Sequence, residues 1–107
     1  MSHADKFELG FAPEVVDHLA AIERKHHHLI RKTLDAQLSR APDTETRNRK
    51  PVEQPSSFEA TWELRFGPGN RFRVFYEVDD VEHVVWILAI GVKERERLFI
   101  GGEEFKP

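Results

Sequence analysis

The period of the apolar residues changes once along the chain, from 3.6 to 2, and the change falls near residue 58. Upstream, Val15, Val16, Leu19 and Ile22, then Leu29, Ile30, Leu34 and Leu38, recur at spacings of three, four and seven, which is one face of a helix. Pro13 opens this region at no cost in hydrogen bonds, and Glu14 and Asp17 suit the positive end of a helix dipole. Between Ile22 and Leu29 the run Glu23-Arg24-Lys25-His26-His27-His28 holds no apolar residue. The pattern therefore predicts a helix hairpin broken near Arg24 to His28, the alternative being one long helix with a wet turn. Ahead of it, Lys6 to Phe11 (KFELGF) alternates loosely and predicts a first strand. The helical region stops by Ser39 to Pro42, and Asp43 to Ser57 (DTETRNRKPVEQPSS) shows no period, which predicts a long loop of functional or mobile character.

Downstream the alternation is that of strands. Phe58 to Phe66 sets Trp62, Leu64 and Phe66 against Thr61, Glu63 and Arg65. Gly67-Pro68-Gly69-Asn70 punctuates a turn. Arg71 to Val78 sets Phe72, Val74, Tyr76 and Val78 against Arg71, Arg73, Phe75 and Glu77. After Asp79-Asp80, His83 to Gly91 is apolar on both faces, as a central covered strand is. Leu98 to Ile100, closed by Gly101-Gly102, adds a last short strand. The prediction is one α+β domain over residues 1–107: N-terminal strand, helix hairpin, then an antiparallel meander of three to four strands. If the Trp62 and Phe72 series pack beneath the helices, the opposite face gathers Glu63, Arg65, Arg71 and Arg73. Val85, Ile87 and Ala89, or their neighbours one residue along, then floor that face.

Composition narrows the chemistry. In 107 residues there is no cysteine, which excludes disulfides, thiolate zinc sites and cysteine nucleophiles. No apolar run approaches the ~18 residues of a membrane span, and the opening MSHADKFELG carries no signal-peptide core. A cytoplasmic protein is expected. The net charge of −3 disfavours bulk attraction to nucleic acid, yet charge is segregated. Eight basic residues face three acidic ones between Arg24 and Lys50, a local balance of +5, and eight acids face three bases between Glu77 and Glu104, a balance of −5. Such asymmetry points either to a charged partner or to a solvated helix and tail. Three consecutive histidines point ~100° apart on a helix, so His26 to His28 do not chelate one ion; no metal or cofactor is expected.

In WELRFGPGNRFRVFYEVDD (Trp62 to Asp80), ILAIGVKERERLFIGGEEF (Ile87 to Phe105) and the preceding ETRNRKP (Glu45 to Pro51), the chain resembles the RelE/ParE superfamily of type II toxin–antitoxin toxins over nearly its whole length. The resemblance implies the RelE-like fold, a cognate antitoxin and one of two activities: ribosome-dependent mRNA cleavage or inhibition of DNA gyrase without nuclease chemistry. A degenerate member that only binds antitoxin is a third reading. The first is taken as the leading expectation, with the ribosome and mRNA as partners and a toxin–antitoxin hetero-oligomer as the stored form. Cleavage by attack of a 2′-OH on the adjacent phosphate needs a proton acceptor, cations on the phosphate and a donor to the leaving oxygen.

Carried over by position, the resemblance places the phosphate arginine on Arg73, basic strand positions on Glu63 and Arg65, the basic residue after the central strand on Lys93, and the C-terminal tyrosine on Phe99, which has no hydroxyl. Arg73, Arg65, Lys93 and Glu63 are thus the catalytic candidates, with Glu63 the possible base. Arg71, Arg95 and Phe99 are candidates for substrate binding. The plain alternative for Arg73 is a surface charge paired with Glu63 or Glu77. Trp62 and Trp86 read as core residues.

Overall fold

A mixed seven-stranded sheet carries the helices on one side only and leaves its other side open. This is seen in a computed structural model, in which residues 6–54 and 56–106 are described. The first five residues of the opening MSHADKFELG, read above for a signal-peptide core, lie outside them. In chain order the elements are β1 (Glu8–Phe11), α1 (Val15–Ala20), a 3₁₀ turn (Arg24–His26), α2 (His27–Leu38), β2 (Arg49–Pro51), β3 (Trp62–Phe66), β4 (Phe72–Asp79), β5 (Val84–Glu94), β6 (Arg97–Ile100) and β7 (Glu103–Phe105). The sheet runs β2-β3-β4-β5-β6-β7, antiparallel throughout, and β1 joins it parallel to β5. β5 is long enough to share its second edge: β1 takes Val84 to Ile87, and β6 takes Gly91 to Glu94.

The helix hairpin forms with its break between Ala21 and His26, slightly earlier than the polar run suggests. Glu23 is extended (ψ 137°), and the His27 Nε2 donates to the Ile22 carbonyl at 2.8 Å, satisfying an acceptor near the break. His27 and His28 therefore already belong to α2. Val15 and Ile22 join Ile30, Leu34 and Leu38 of α2 in a core against Leu64, Phe66, Phe72, Val74, Tyr76, Val85, Ile87 and Ile90.

Three expectations about where elements begin and end need correction. The aperiodic segment 43–57 contains β2, whose three residues are too few to show a period; Lys50 pairs with Glu63 and Pro51 with Trp62. The third strand begins at Trp62 rather than Phe58, because Phe58 and Glu59 adopt positive φ (62° and 60°), which strands do not tolerate. The Gly101-Gly102 pair, at φ 64° and 82°, does not close the sheet but turns it into a further hairpin ending in β7, as two residues with φ > 0 favour.

A bulge decides which side chains face out. Phe75 pairs with Ala89 but Tyr76 pairs with Ile87, so Leu88 is an extra residue. Neither uniform register of β5 is realised: Ala89 and Gly91 share the open face with Phe75 and Arg73, whereas Ile87 and Val85 pack beneath the helices. Trp86 consequently faces out, 41% exposed, against the expectation of a core residue. Its ring covers Gly10, where a Cβ would lie 2.5 Å from it.

Candidate functional site

β3 and β4 pair with Arg65 directly opposite Arg73 and Glu63 opposite Phe75. Two like charges facing across a ladder repel. Here Glu63 stands between them, 9% exposed. Its Oε1 accepts from Nε of Arg65 at 3.0 Å, with Arg65 Nη2 also 3.0 Å away in the ion pair, and its Oε2 accepts from Nη1 of Arg73 at 3.2 Å. Arg73 Nε also donates to the Asn70 carbonyl at 2.8 Å, so the turn and the carboxylate together fix the guanidinium. Arg65 is held at the backbone: its N–H donates to the Asn48 carbonyl at 2.8 Å and its carbonyl accepts from Asn48 Nδ2 at 2.7 Å. A buried carboxylate needs such partners. The result is a braced pair of arginines with a net positive charge and several N–H groups of each guanidinium not engaged by Glu63.

Lys93 lies on the same face and lines, with Arg73, a groove of about 580 Å³. Among the described residues its ammonium has no ion pair. The groove's apolar wall is Phe75, Phe58, Leu98 and Phe105. The Phe58 ring packs 5.9 Å from Phe75 and 5.0 Å from Phe105, so one aromatic residue joins β4 to β7. The acids Glu53, Glu96 and Glu104 rim it.

The remaining predicted residues are elsewhere. Arg71 leaves the strand in a helical conformation (φ −72°, ψ −25°), pairs with Glu94 at 3.6 Å and lies 5.3 Å over the Phe72 ring. With Phe99, His18 and His26 it lines a separate hollow of about 360 Å³ on the helix side of the sheet. Phe99 pairs with Val92 and so faces away from the clamp. Arg95 sits exposed in the β5–β6 turn at φ 50°. Thus Arg73, Arg65, Glu63 and Lys93 come together, whereas Arg71, Arg95 and Phe99 do not join them. Phe58 and Phe105 were not anticipated. Phe105 stands in the Ile87 to Phe105 block without a period to mark it, and Phe58 is displaced from its apparent strand.

Among the described residues, the histidines meet different partners. His26 lies against Phe72 at 5.2 Å, and His83 stacks on Phe7 at 4.9 Å. His18 Nδ1 accepts the Ile90 N–H at 3.2 Å. Burial pushes the His18 pKa below its ordinary value, partly countered by Glu14 and Asp17. Among the described residues no three His, Asp or Glu gather as metal ligands, and no helix is long and apolar enough to cross a membrane.

A sheet covered on one face, with a braced arginine pair on the other, defines a class, and comparison with known proteins says which. The family model described as the ParE toxin of the type II toxin–antitoxin system, parDE, matches residues 9–97. The chain belongs to that family and is the toxin of a type II toxin–antitoxin module. Its fold is similar to that in the RelBE2 toxin–antitoxin complex of Mycobacterium tuberculosis, with a TM-score of 0.67 and 22% identity over 82% of this chain and 92% of that one. It is also similar to the archaeal RelE–RelB complex of Pyrococcus horikoshii OT3, with a TM-score of 0.63 and 20% identity over 84% and 98%. No curated protein matches the chain.

Proposed function

We propose that this toxin cleaves mRNA on the ribosome, that its working surface is the open face around Arg73, and that a cognate antitoxin holds it inactive in a hetero-oligomer. The observation that carries the reading is the groove itself. Cations on one side (Arg73, Lys93) and aromatic rings on the other (Phe58, Phe75, Phe105) are what an unpaired RNA strand needs, charge for the phosphates and flat surfaces for the bases.

In this reading the 2′-hydroxyl passes its proton to solvent water as its oxygen attacks the adjacent phosphorus in line, the bond from phosphorus to the 5′-oxygen breaks, and that oxygen takes a proton from water, giving a cyclic 2′,3′-phosphate and a 5′-hydroxyl. Negative charge grows on the non-bridging oxygens. Arg65 and Arg73 meet it with guanidinium edges already fixed, and Lys93 adds an ammonium. Both oxygens of Glu63 hold a guanidinium, so accepting the 2′ proton requires releasing one. Its role is to position the arginines, and stabilisation of phosphate charge supplies most of the rate.

A second reading, a toxin that inhibits DNA gyrase without cleavage, draws on the same occupied carboxylate and on Phe99, which lacks a hydroxyl and faces the other side of the sheet. Brief induction followed by mapping of transcript 5′ ends separates the two, with Arg73→Ala in parallel. New ends in register with codons, lost in the variant, are expected. Growth arrest with intact transcripts and a DNA-damage response would overturn the nuclease reading in favour of gyrase.

A further inference from the structure

The positive stretch from Arg24 to Lys50 is not used by the open face. α2 buries Ile30, Leu34 and Leu38 against the sheet, so its outer side points away from Glu63, Arg65 and Arg73. That outer side, with the 3₁₀ turn before it and the second residue after it, exposes Arg24, Lys25, His28, Arg31, Lys32 and Arg40. His28, Arg31 and Lys32 stand three and four apart, on one helix face. None of the ion pairs among the described residues uses Arg24, Arg31, Lys32 or Arg40. Lys25 meets Glu23 only at 4.0 Å with both side chains largely exposed, a pairing worth little. Asp35 is the one acid within α2. A twelve-residue helix is about 18 Å long, and salt screens charges beyond ~8–10 Å. The acids beside the ridge are Asp35 and Glu8, which share a hollow with Arg31, and Glu23 beside Lys25; against five Arg and Lys side chains they leave the ridge net positive.

We infer that this ridge docks on the phosphate backbone of double-helical RNA. A rigid row of cations without aromatic residues suits a regular backbone recognised by charge and shape, whereas the open groove, with its rings, suits an unpaired strand. The toxin then has two RNA-facing surfaces, on opposite sides of the sheet, for two kinds of RNA. Duplex docking does not depend on cleavage, so it stands or fails apart from the nuclease reading.

The probe is a short blunt-ended RNA duplex, followed by fluorescence anisotropy across a salt series with the whole chain. Arg31→Glu with Lys32→Glu is expected to weaken binding by about tenfold or more and to flatten the log–log salt slope by about 0.7–0.9 per lost contact. Because charge reversal perturbs helices, Arg31→Gln with Lys32→Gln serves as a second variant and is expected to lose less affinity with the same Tm as the parent. Unchanged duplex affinity in both double variants overturns the inference, as does a parent chain that does not bind the duplex. Loss of antitoxin binding with duplex binding intact also overturns it and assigns the ridge to a protein partner.

Discussion

Glu63 has one neighbour on each side that it cannot lose without consequence. Removing it leaves Arg65 and Arg73 facing each other across adjacent strands, with Arg73 only 13% exposed at its side chain. An uncompensated buried charge costs several kcal/mol, moderated here because Arg65 is 40% exposed and can turn to water. Glu63→Ala is therefore expected to lower stability by about 2–4 kcal/mol, with Glu63→Gln less severe because its amide oxygen still accepts one guanidinium. Urea denaturation measures this directly; a midpoint equal to the parent's would mean that the arginines need no brace. The same chemistry explains what could be read beforehand. Strand alternation alone brought Glu63, Arg65 and Arg73 to one face, because parity is a property of the chain. That the carboxylate would hold both arginines depends on side-chain torsions, which alternation does not encode.

Elements were legible where they were long. α2 and β4 carry enough turns or repeats to show a period, whereas β2 and β7, at three residues each, show none and emerge only through pairing with a neighbour. The Leu88 bulge was hidden for a related reason: β5 is apolar on both faces, so an inserted residue leaves no mark on its pattern. Gly91 tests how the last hairpin depends on β5. A Cβ at this position would meet the Phe99 carbonyl and the Ile100 side chain at 2.8 Å each, and backbone at that distance cannot simply rotate away. Gly91→Val is expected to cost about 1–3 kcal/mol of overpacking and to loosen β6 and β7 first. Hydrogen exchange should show amides of 97–105 losing protection while those of β3 and β4 keep it. Uniform loss across the sheet would contradict this and make the C-terminal hairpin integral to the fold. Phe105 would leave the groove with β7, so the variant also tests whether the aromatic wall serves activity.

At the scale of the molecule, the segment after α2 is tied to the sheet at points far apart in sequence. The buried Tyr76 hydroxyl donates to the Pro42 carbonyl at 2.7 Å, and Arg49 Nη1 donates to the Gln37 carbonyl at 2.6 Å. The segment expected as a loose loop is thereby held across the end of the core. Burial pushes the Tyr76 pKa up, with Arg49 lowering it and Asp43 raising it by smaller amounts. The folded chain thus holds the phenolic proton more tightly than the unfolded chain, whose tyrosine titrates near ~10. The stability from this group is fully present below pH ~10 and is lost as pH rises above it toward the folded value, by up to ~1.4 kcal/mol per pH unit. Tyr76 is the single tyrosine of the chain, so phenolate absorbance reports it without ambiguity. The expected result is that phenolate appears together with loss of the circular dichroism signal, one transition seen by two probes. Tyr76→Phe should cost about 1 kcal/mol at neutral pH and remove this group's part of the alkaline slope. A phenol that titrates near pH ~10 with the fold intact would show that water reaches the hydroxyl, and that the tie between Pro42 and β4 is not what keeps the segment in place.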